Sequence, residues 1–217
     1  MKKLPLALAA ALLVASAVPS PASAGDALAQ ALDAFSKVND YTTDIVTHEV
    51  QGTSTEDRTY HYSFLRPTDV KTEVTAGPGR GGGAVWTGGE QVSGHQGGFL
   101  SGIHLKISMH DRRATSLRGD TIDTGTFGSM LDQFKNWRAP ITETDDKMVD
   151  GVLASELTLK TADPTSLGGI TRVDLYLSNA THLPVRRESY VGDQLVKSEK
   201  IINTKVNTGL TPSDFPF

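Results

Sequence analysis

The sequence predicts a mainly β domain in which two short helices accompany an antiparallel sheet. Beyond residue 40 the chain is rich in threonine, valine and tyrosine, and turn residues interrupt it at close intervals, which is typical of antiparallel strands. Several segments have an apolar residue at every second position, so that one face of each strand can be buried. Two other segments have apolar residues three and four positions apart, which is the spacing of one helix face.

The first 24 residues have the three parts of a cleavable signal peptide. A positively charged start precedes an almost wholly apolar stretch over residues 4–18, and the small residues 22–24 offer a cleavage site. A membrane anchor is the alternative, but about 15 apolar residues are fewer than the roughly 20 that a spanning helix needs. We therefore expect residues 1–24 to be removed on export to the periplasm, and residues 25–217 to form a single domain.

Composition limits the partners of this domain. The 217 residues include no cysteine, so the domain must fold by core packing without disulfides. Gly25 follows the predicted cleavage site, where a bacterial lipoprotein has an acylated cysteine, so we expect no membrane anchor. Lys2 and Lys3 leave with the peptide, and 19 of the 21 basic residues remain against 25 acidic ones. This balance disfavours nucleic acid as a partner.

The helices are predicted at two places along the chain. The first covers residues 26–38, where one apolar stripe is formed by Ala27, Leu28, Ala31, Leu32 and Phe35. The second lies within residues 124–137, where helical spacing is followed by Phe127, Met130, Leu131 and Phe134. This second helix interrupts the series of strands.

The strands are predicted from alternation and turn signals. Tyr60, Tyr62 and Phe64 alternate with other residues up to Pro67, so the aromatic side chains should point inward. Further strands are predicted over residues 70–75, 84–87, 103–109, 152–160, 171–177, 185–191 and 195–202. In two of these segments a buried face is indicated by Leu157 with Leu159, and by Val173 with Leu175 and Leu177.

A glycine-rich segment over residues 77–83 is predicted to be a flexible loop between strands. Gly77, Gly79 and Gly82 formally match G-x-G-x-x-G, but a dinucleotide site needs a helix directly afterwards. Residues 84–86 read as a strand instead. The sequence therefore predicts no nucleotide and no other cofactor.

Metal binding and catalysis are not predicted either. His95, His104 and His110 could meet across neighbouring strands, but their spacing matches no ligand pattern and glycines nearby favour solvent-facing turns. The acidic run over residues 143–150 lacks the alternating positions of a calcium loop and predicts a solvated turn. No serine has the G-x-S-x-G pattern of a nucleophile elbow, so we expect a protein that is not an enzyme.

The remaining candidate residues are apolar, and they allow two interpretations. They form either a plain core or the lining of an apolar cavity inside a curved sheet that the helices close. The candidate cavity residues are Tyr60, Tyr62, Phe64, Trp86, Phe127, Met130, Leu131, Phe134, Leu157, Leu159, Val173, Leu175 and Leu177.

Several short motifs resemble the LolA-like periplasmic proteins. They are the first helix leading into Tyr41, residues 62–67 with the sequence YSFLRP, residues 84–86 with the sequence AVW before two glycines, residues 183–190 with the sequence LPVRRESY, and the closing segment 206–215. The central residues 95–131 look closer to an uncharacterised exported branch than to the lipoprotein carrier itself. The resemblance implies a strongly curved antiparallel sheet forming an incomplete barrel, covered by short helices, whose cavity takes acyl chains without catalysis.

These expectations give two functional hypotheses. The first is a soluble, monomeric periplasmic carrier or chaperone that binds a lipid or the acyl chains of a lipoprotein and exchanges them with a membrane protein donor or receptor. Exposing such a chain to water costs about 0.8 kcal/mol for each CH2 group, and a protein cavity that shields the chain removes this cost. The alternative is an envelope sensor or regulatory adaptor of the same fold that binds a membrane protein partner.

Overall fold

The computed structural model describes residues 26–98 and 102–216, and the predicted signal peptide lies outside these residues. The helices are α1 (Asp26–Ser36) and α2 (Phe127–Lys135). The strands are β1 (Asp40–Gln51), β2 (Ser54–Leu65), β3 (Asp69–Ala76), β4 (Gly83–Trp86), β5 (Gln91–His95), β6 (His104–Ser108), β7 (Thr142–Val149), β8 (Val152–Lys160), β9 (Arg172–Ser178), β10 (Pro184–Val191) and β11 (Gln194–Val206).

These strands form one antiparallel sheet in the order β6-β5-β4-β3-β2-β1-β11-β10-β9-β8-β7. Neighbours in the sheet are neighbours in sequence except at the centre, where β1 pairs with β11. The outer strands β6 and β7 are joined by residues 109–141, which include α2. The sheet is open, so the predicted mainly β fold with an incomplete barrel and two short helices is confirmed.

The acidic run over residues 143–150 corrects one expectation. Most of it belongs to strand β7, which pairs with β8, and Asp150 alone lies in the turn that follows. Most side chains of β7 are exposed, so its sequence lacks the alternation of a half-buried strand. Strand β5 is likewise absent from the sequence prediction, because its five residues include only one buried apolar side chain, Val92.

The core lies on one face of the sheet, which we call the inner face. Helices α1 and α2 pack there against β1, β2, β3, β8 and β9. Tyr41 in β1 is at the centre, with its ring stacked on Phe127 of α2 at 4.2 Å and on Phe64 of β2 at 5.1 Å. The Tyr41 hydroxyl also accepts a hydrogen bond of 3.1 Å from the Phe127 amide, which satisfies one of the free N–H groups at the start of α2.

Helix α1 is attached to the sheet at both ends. The Ala27 amide donates to Glu143 of β7 at 3.2 Å. At the other end, Arg66 donates to the Val38 carbonyl at 2.7 Å and to the Phe35 carbonyl at 2.6 Å, and its guanidinium lies 4.6 Å above the Phe35 ring. A cation near the carbonyl end of a helix is favourable. Within the described residues, neither helix has the length and apolarity to cross a membrane.

Candidate functional site

A cavity of about 610 Å³ lies on the inner face beside the core. Its floor is formed by β1 to β4 and β11, and the segment 113–125, which leads into α2, covers it. Two glycine-containing loops, residues 79–83 and 95–98, form part of the rim. They approach so closely that a Cβ atom on Gly97 would lie 2.0 Å from the Arg80 carbonyl oxygen, so this position requires glycine.

One part of the cavity wall is apolar. Ile45 and Tyr60 are directly opposite on β1 and β2, and Val74 is opposite Tyr60 on β3. Tyr62 lies in the next row toward the core, and its hydroxyl donates a hydrogen bond to the Ile122 carbonyl of the covering segment. The covering segment is thereby attached to the sheet beside the apolar wall.

The other part of the cavity is bordered by two rows of charged and polar residues. The first row runs across β10, β11, β1 and β2 through Arg187, Glu199, Thr47 and Arg58. The second row runs through Ser189, Lys197, Glu49 and Glu56 on the same strands. Since side chains alternate along a strand, both rows share the inner face with the apolar wall.

Five of the charged side chains form a network, in which four are buried and Asp120 is partly exposed. Arg187 makes a bidentate pair with Glu199, whose Nη2–Oε1 distance is 2.9 Å. The Lys197 ammonium lies 3.1 Å from Glu199, 3.4 Å from Glu49 and 2.7 Å from Asp120. Asp120 belongs to the covering segment, so this network joins the segment to the centre of the sheet.

The network keeps its groups charged. Burial opposes ionisation, but the charges of Arg187 and Lys197 lower the pKa of the Glu199 carboxyl below its ordinary value. Burial would lower the pKa of the Lys197 ammonium, but the negative charges of Glu199, Asp120 and Glu49 raise it above its ordinary value. Burial would raise the pKa of the Asp120 carboxyl, but the charge and hydrogen bond of Lys197 lower it below its ordinary value. The three shifts move these pKa values away from neutrality.

A second cavity of about 230 Å³ lies on the far side of this network. It is lined by Leu167, Ile170 and Val173 together with polar residues of α2 and β10. Asp120, Thr124 and Lys197 line both cavities. The Asp120–Lys197 ion pair therefore lies between the two spaces.

The structure divides the predicted site residues into two groups. Tyr60 and Tyr62 line the larger cavity and Val173 lines the smaller one. The remaining residues pack with one another in the core and line neither cavity: Phe64, Trp86, Phe127, Met130, Leu131, Phe134, Leu157, Leu159, Leu175 and Leu177. The predicted set therefore lies partly beside the two cavities and mostly in the core.

Sequence reasoning missed the charged residues of the cavity. The signal is present in β1, where Ile45, Thr47 and Glu49 share one face, and in β2, where Arg58 lies two residues before Tyr60. Charged residues at strand positions normally indicate a solvated face. In β1 and β2 the charged residues instead lie on the same face as apolar residues of the same strand. Charged residues that extend an apolar face are the sequence signal for this part of the cavity.

The glycine segment connects two strands, as the sequence predicts, because β3 ends at Ala76 and β4 begins at Gly83. Two of the histidines lie in strands and not in the solvent-facing turns that the sequence predicts, since His95 ends β5 and His104 begins β6. The rings of His95 and His104 stack at 5.5 Å across β5 and β6. In residues 26–98 and 102–216, no three histidine or acidic side chains are grouped as metal ligands.

The lowered pKa of Asp120 predicts a pH-dependent stability. A carboxylate with a lowered pKa in the folded state stabilises the protein above its unfolded pKa of about 4, and this contribution is lost as the pH falls through the folded value. We expect Asp120→Asn to destabilise the protein at pH 7 by about 1 kcal/mol more than at pH 3, a figure discounted for partial exposure. Urea unfolding at both pH values measures this difference.

Asp132→Asn is the matched control, because Asp132 is an exposed carboxylate on α2. Its effect on the free energy of unfolding should be the same at both pH values. Equal pH dependence for the two variants would contradict a stabilising Asp120–Lys197 pair.

The comparisons with known proteins concern the fold. No model of a protein family matches the sequence, and no curated protein matches it significantly. An uncharacterized conserved protein from Thermus thermophilus has a TM-score of 0.55 at 13% identity, with 89% of this chain and 93% of that chain covered. Identity this low shows a shared fold alone.

Two further solved structures match with lower scores. The Mycobacterium tuberculosis lipoprotein LppX has a TM-score of 0.49 at 14% identity, covering 87% of this chain and 99% of that chain. A LolA superfamily protein from Nitrosomonas europaea has a TM-score of 0.40 at 10% identity, covering 91% of this chain and 99% of that chain. The chain therefore shares the fold of the Thermus protein, and its open antiparallel sheet with a helical cover is the architecture that the resemblance to the LolA-like proteins implies.

Proposed function

We propose that this protein is a soluble periplasmic carrier or chaperone that binds a lipid or the acyl chains of a lipoprotein in the larger cavity. The signal peptide predicted at residues 1–24 would export the domain formed by residues 25–217. In this proposal the protein works as a free monomer that receives its ligand from a membrane donor and passes it to a receptor.

The observation that carries the proposal is the 610 Å³ cavity with an apolar wall. Its volume is within the roughly 300–1,000 Å³ of small-molecule sites. Tyr60 and Tyr62 would contact the acyl chain directly, and the packed core residues of the predicted set would hold the sheet and α2 in place around it. The covering segment borders the cavity on the side opposite this wall, and a segment that can move suits reversible binding.

The charges beside the cavity favour binding over catalysis. A general acid or base works best with a pKa near the working pH. The pKa shifts of Lys197, Glu199 and Asp120 are in the opposite direction and stabilise their ordinary charged forms. We therefore propose a non-catalytic role.

A variant that fills the cavity tests the proposal. Val74 lines the cavity, whereas the next residue, Thr75, is exposed and does not line it. We expect Val74→Trp to weaken the binding of a fluorescent fatty acid by about ten-fold or more, because it occupies the space of the chain. Thr75→Trp, which adds a tryptophan outside the cavity, should leave the affinity unchanged.

Mass spectrometry of the protein purified from its exporting host gives a second test. We expect a bound lipid in the wild type and less of it in Val74→Trp. No bound lipid and no fatty acid binding would contradict the carrier proposal. Recovery of one membrane protein in stoichiometric amount without lipid would support the sensor or adaptor alternative instead.

A further inference from the structure

The guanidinium of Arg58 has a hydrogen-bond donor that the protein does not use. Its Nη1 donates to the Tyr60 hydroxyl at 3.2 Å, and its Nη2 donates to Glu56 at 2.8 Å. Its Nε atom is buried and has no hydrogen-bond partner among residues 26–98 and 102–216. Trp137 Nε1 and Arg172 Nε are also buried without a partner in the described residues, but of the three residues only Arg58 lines one of the two cavities. Buried donors are almost always bonded, so this atom indicates an acceptor that enters the cavity from outside the chain.

Arg58 lies at the boundary between the two parts of the cavity. In β2 it is two residues from Tyr60, a member of the apolar wall, and it is opposite Thr47 of the charged row. The two bonds to Tyr60 and Glu56 hold the guanidinium in place. A ligand that meets Arg58 with a polar group can therefore extend its apolar part along Tyr60, Ile45 and Val74.

The two buried cations, Arg187 and Lys197, are not available for such a ligand. Arg187 is engaged by both oxygens of Glu199, and Lys197 is surrounded by three carboxylates. Arg80 and Arg113 line the same cavity as Arg58, but Arg113 is already engaged by both oxygens of Asp111. The guanidinium groups of Arg58 and Arg80 at one cavity favour a negatively charged group over a neutral one.

Resting on the function proposed above, we propose that the ligand is an amphiphile with an anionic oxygen headgroup, a carboxylate or a phosphate, that accepts a hydrogen bond from Arg58 Nε. Its apolar chain lies against Ile45, Tyr60, Tyr62 and Val74. The headgroup is thus inside the cavity and is recognised there.

Three probes with the same twelve-carbon chain test the headgroup. The probes are dodecanoate, dodecyl phosphate and 1-dodecanol. Each is titrated into the wild-type protein below its aggregation concentration, and the heat of binding is measured by calorimetry. We expect at least one of the two anions to bind about ten-fold tighter than dodecanol, as a charge-assisted hydrogen bond predicts. The anion that binds more tightly shows whether the site prefers a carboxylate or a phosphate headgroup.

Arg58→Gln removes the charge and the Nε donor. We expect it to reduce the preference for the anion to less than about three-fold while the affinity for dodecanol stays unchanged. Arg138→Gln is the control for net charge, since Arg138 is exposed and does not line the cavity, and it should keep the preference. Thermal unfolding of each variant verifies that it is folded.

The outcomes separate this inference from the proposed function. Equal affinities of the wild type for all three probes would overturn the headgroup inference and leave the carrier proposal in place. The headgroup inference also fails if Arg58→Gln keeps the wild-type preference or loses affinity equally for all probes. If none of the probes binds the wild type, both proposals are overturned.

Discussion

Replacing Lys197 by methionine is expected to destabilise the protein by about 3–5 kcal/mol at pH 7, the range observed when one member of a buried ion network is removed. The Lys197 side chain is 8% exposed and contacts Glu49, Asp120 and Glu199. Methionine has a similar shape but no charge, so it leaves three carboxylates with Arg187 as the remaining cation of the network. Urea unfolding at pH 7 measures the loss.

Two comparisons make this expectation specific. Lys200→Met alters the same strand at a lysine that is 40% exposed and lies 3.1 Å from Asp150, so it should cost less than about 1 kcal/mol. The cost of Lys197→Met should also decrease at pH 4, because protonation of the carboxylates relieves their repulsion. Similar costs for the two lysines would show that the network contributes no more than a surface pair.

Truncating Phe127 to alanine is expected to cost about 3–5 kcal/mol, as for other buried phenylalanines. Phe127 is fully buried, and its ring lies nearly parallel to that of Tyr41, with an interplanar angle of 6°. The substitution leaves a cavity where α2 meets β1. Because the covering segment leads directly into α2, we also expect weaker fatty acid binding.

Tyr41→Phe separates ring packing from hydrogen bonding at this contact. It keeps the stacked ring but removes the hydroxyl that accepts the Phe127 amide, so it should cost only about 1 kcal/mol. Thermal and urea unfolding of both variants test the difference. A loss below about 1 kcal/mol for Phe127→Ala would mean that α2 is not held by this packing.

Much of the fold can be predicted from the sequence, because most elements bury one regular face. Strand β8 has the predicted bounds 152–160, since Leu157 and Leu159 alternate with polar residues and turns flank the segment. Helix α2 is shorter than predicted because Thr126 caps it, accepting a hydrogen bond of 3.1 Å from the Ser129 amide. Strand β7 could not be predicted, because it is an outer strand with charged, exposed side chains.

The cavity is harder to predict than the core. Periodicity identifies the face of Tyr60 and Tyr62 but does not tell which apolar residues touch each other and which border a space. The charged network depends on a contact between Lys197 and Asp120, which are 77 positions apart in the chain. A single sequence carries no local signal for such a contact, and without it Glu49, Lys197 and Glu199 read as solvated strand residues.

The open sheet has a consequence for the protein at high concentration. Among the strands of residues 26–98 and 102–216, the outer strands β6 and β7 each have one side without a neighbour, and unpaired backbone of this kind can template aggregation. In β7, half of the eight residues are charged, and the pairing with β8 is irregular between Thr144 and Lys147. Charges and bulges on an edge oppose the docking of a second strand. Strand β6 is only five residues long, so a second strand could pair with it over a short length only. Two molecules that collide in a crowded compartment therefore gain little by joining their sheets, and the chain can stay dispersed without closing its barrel.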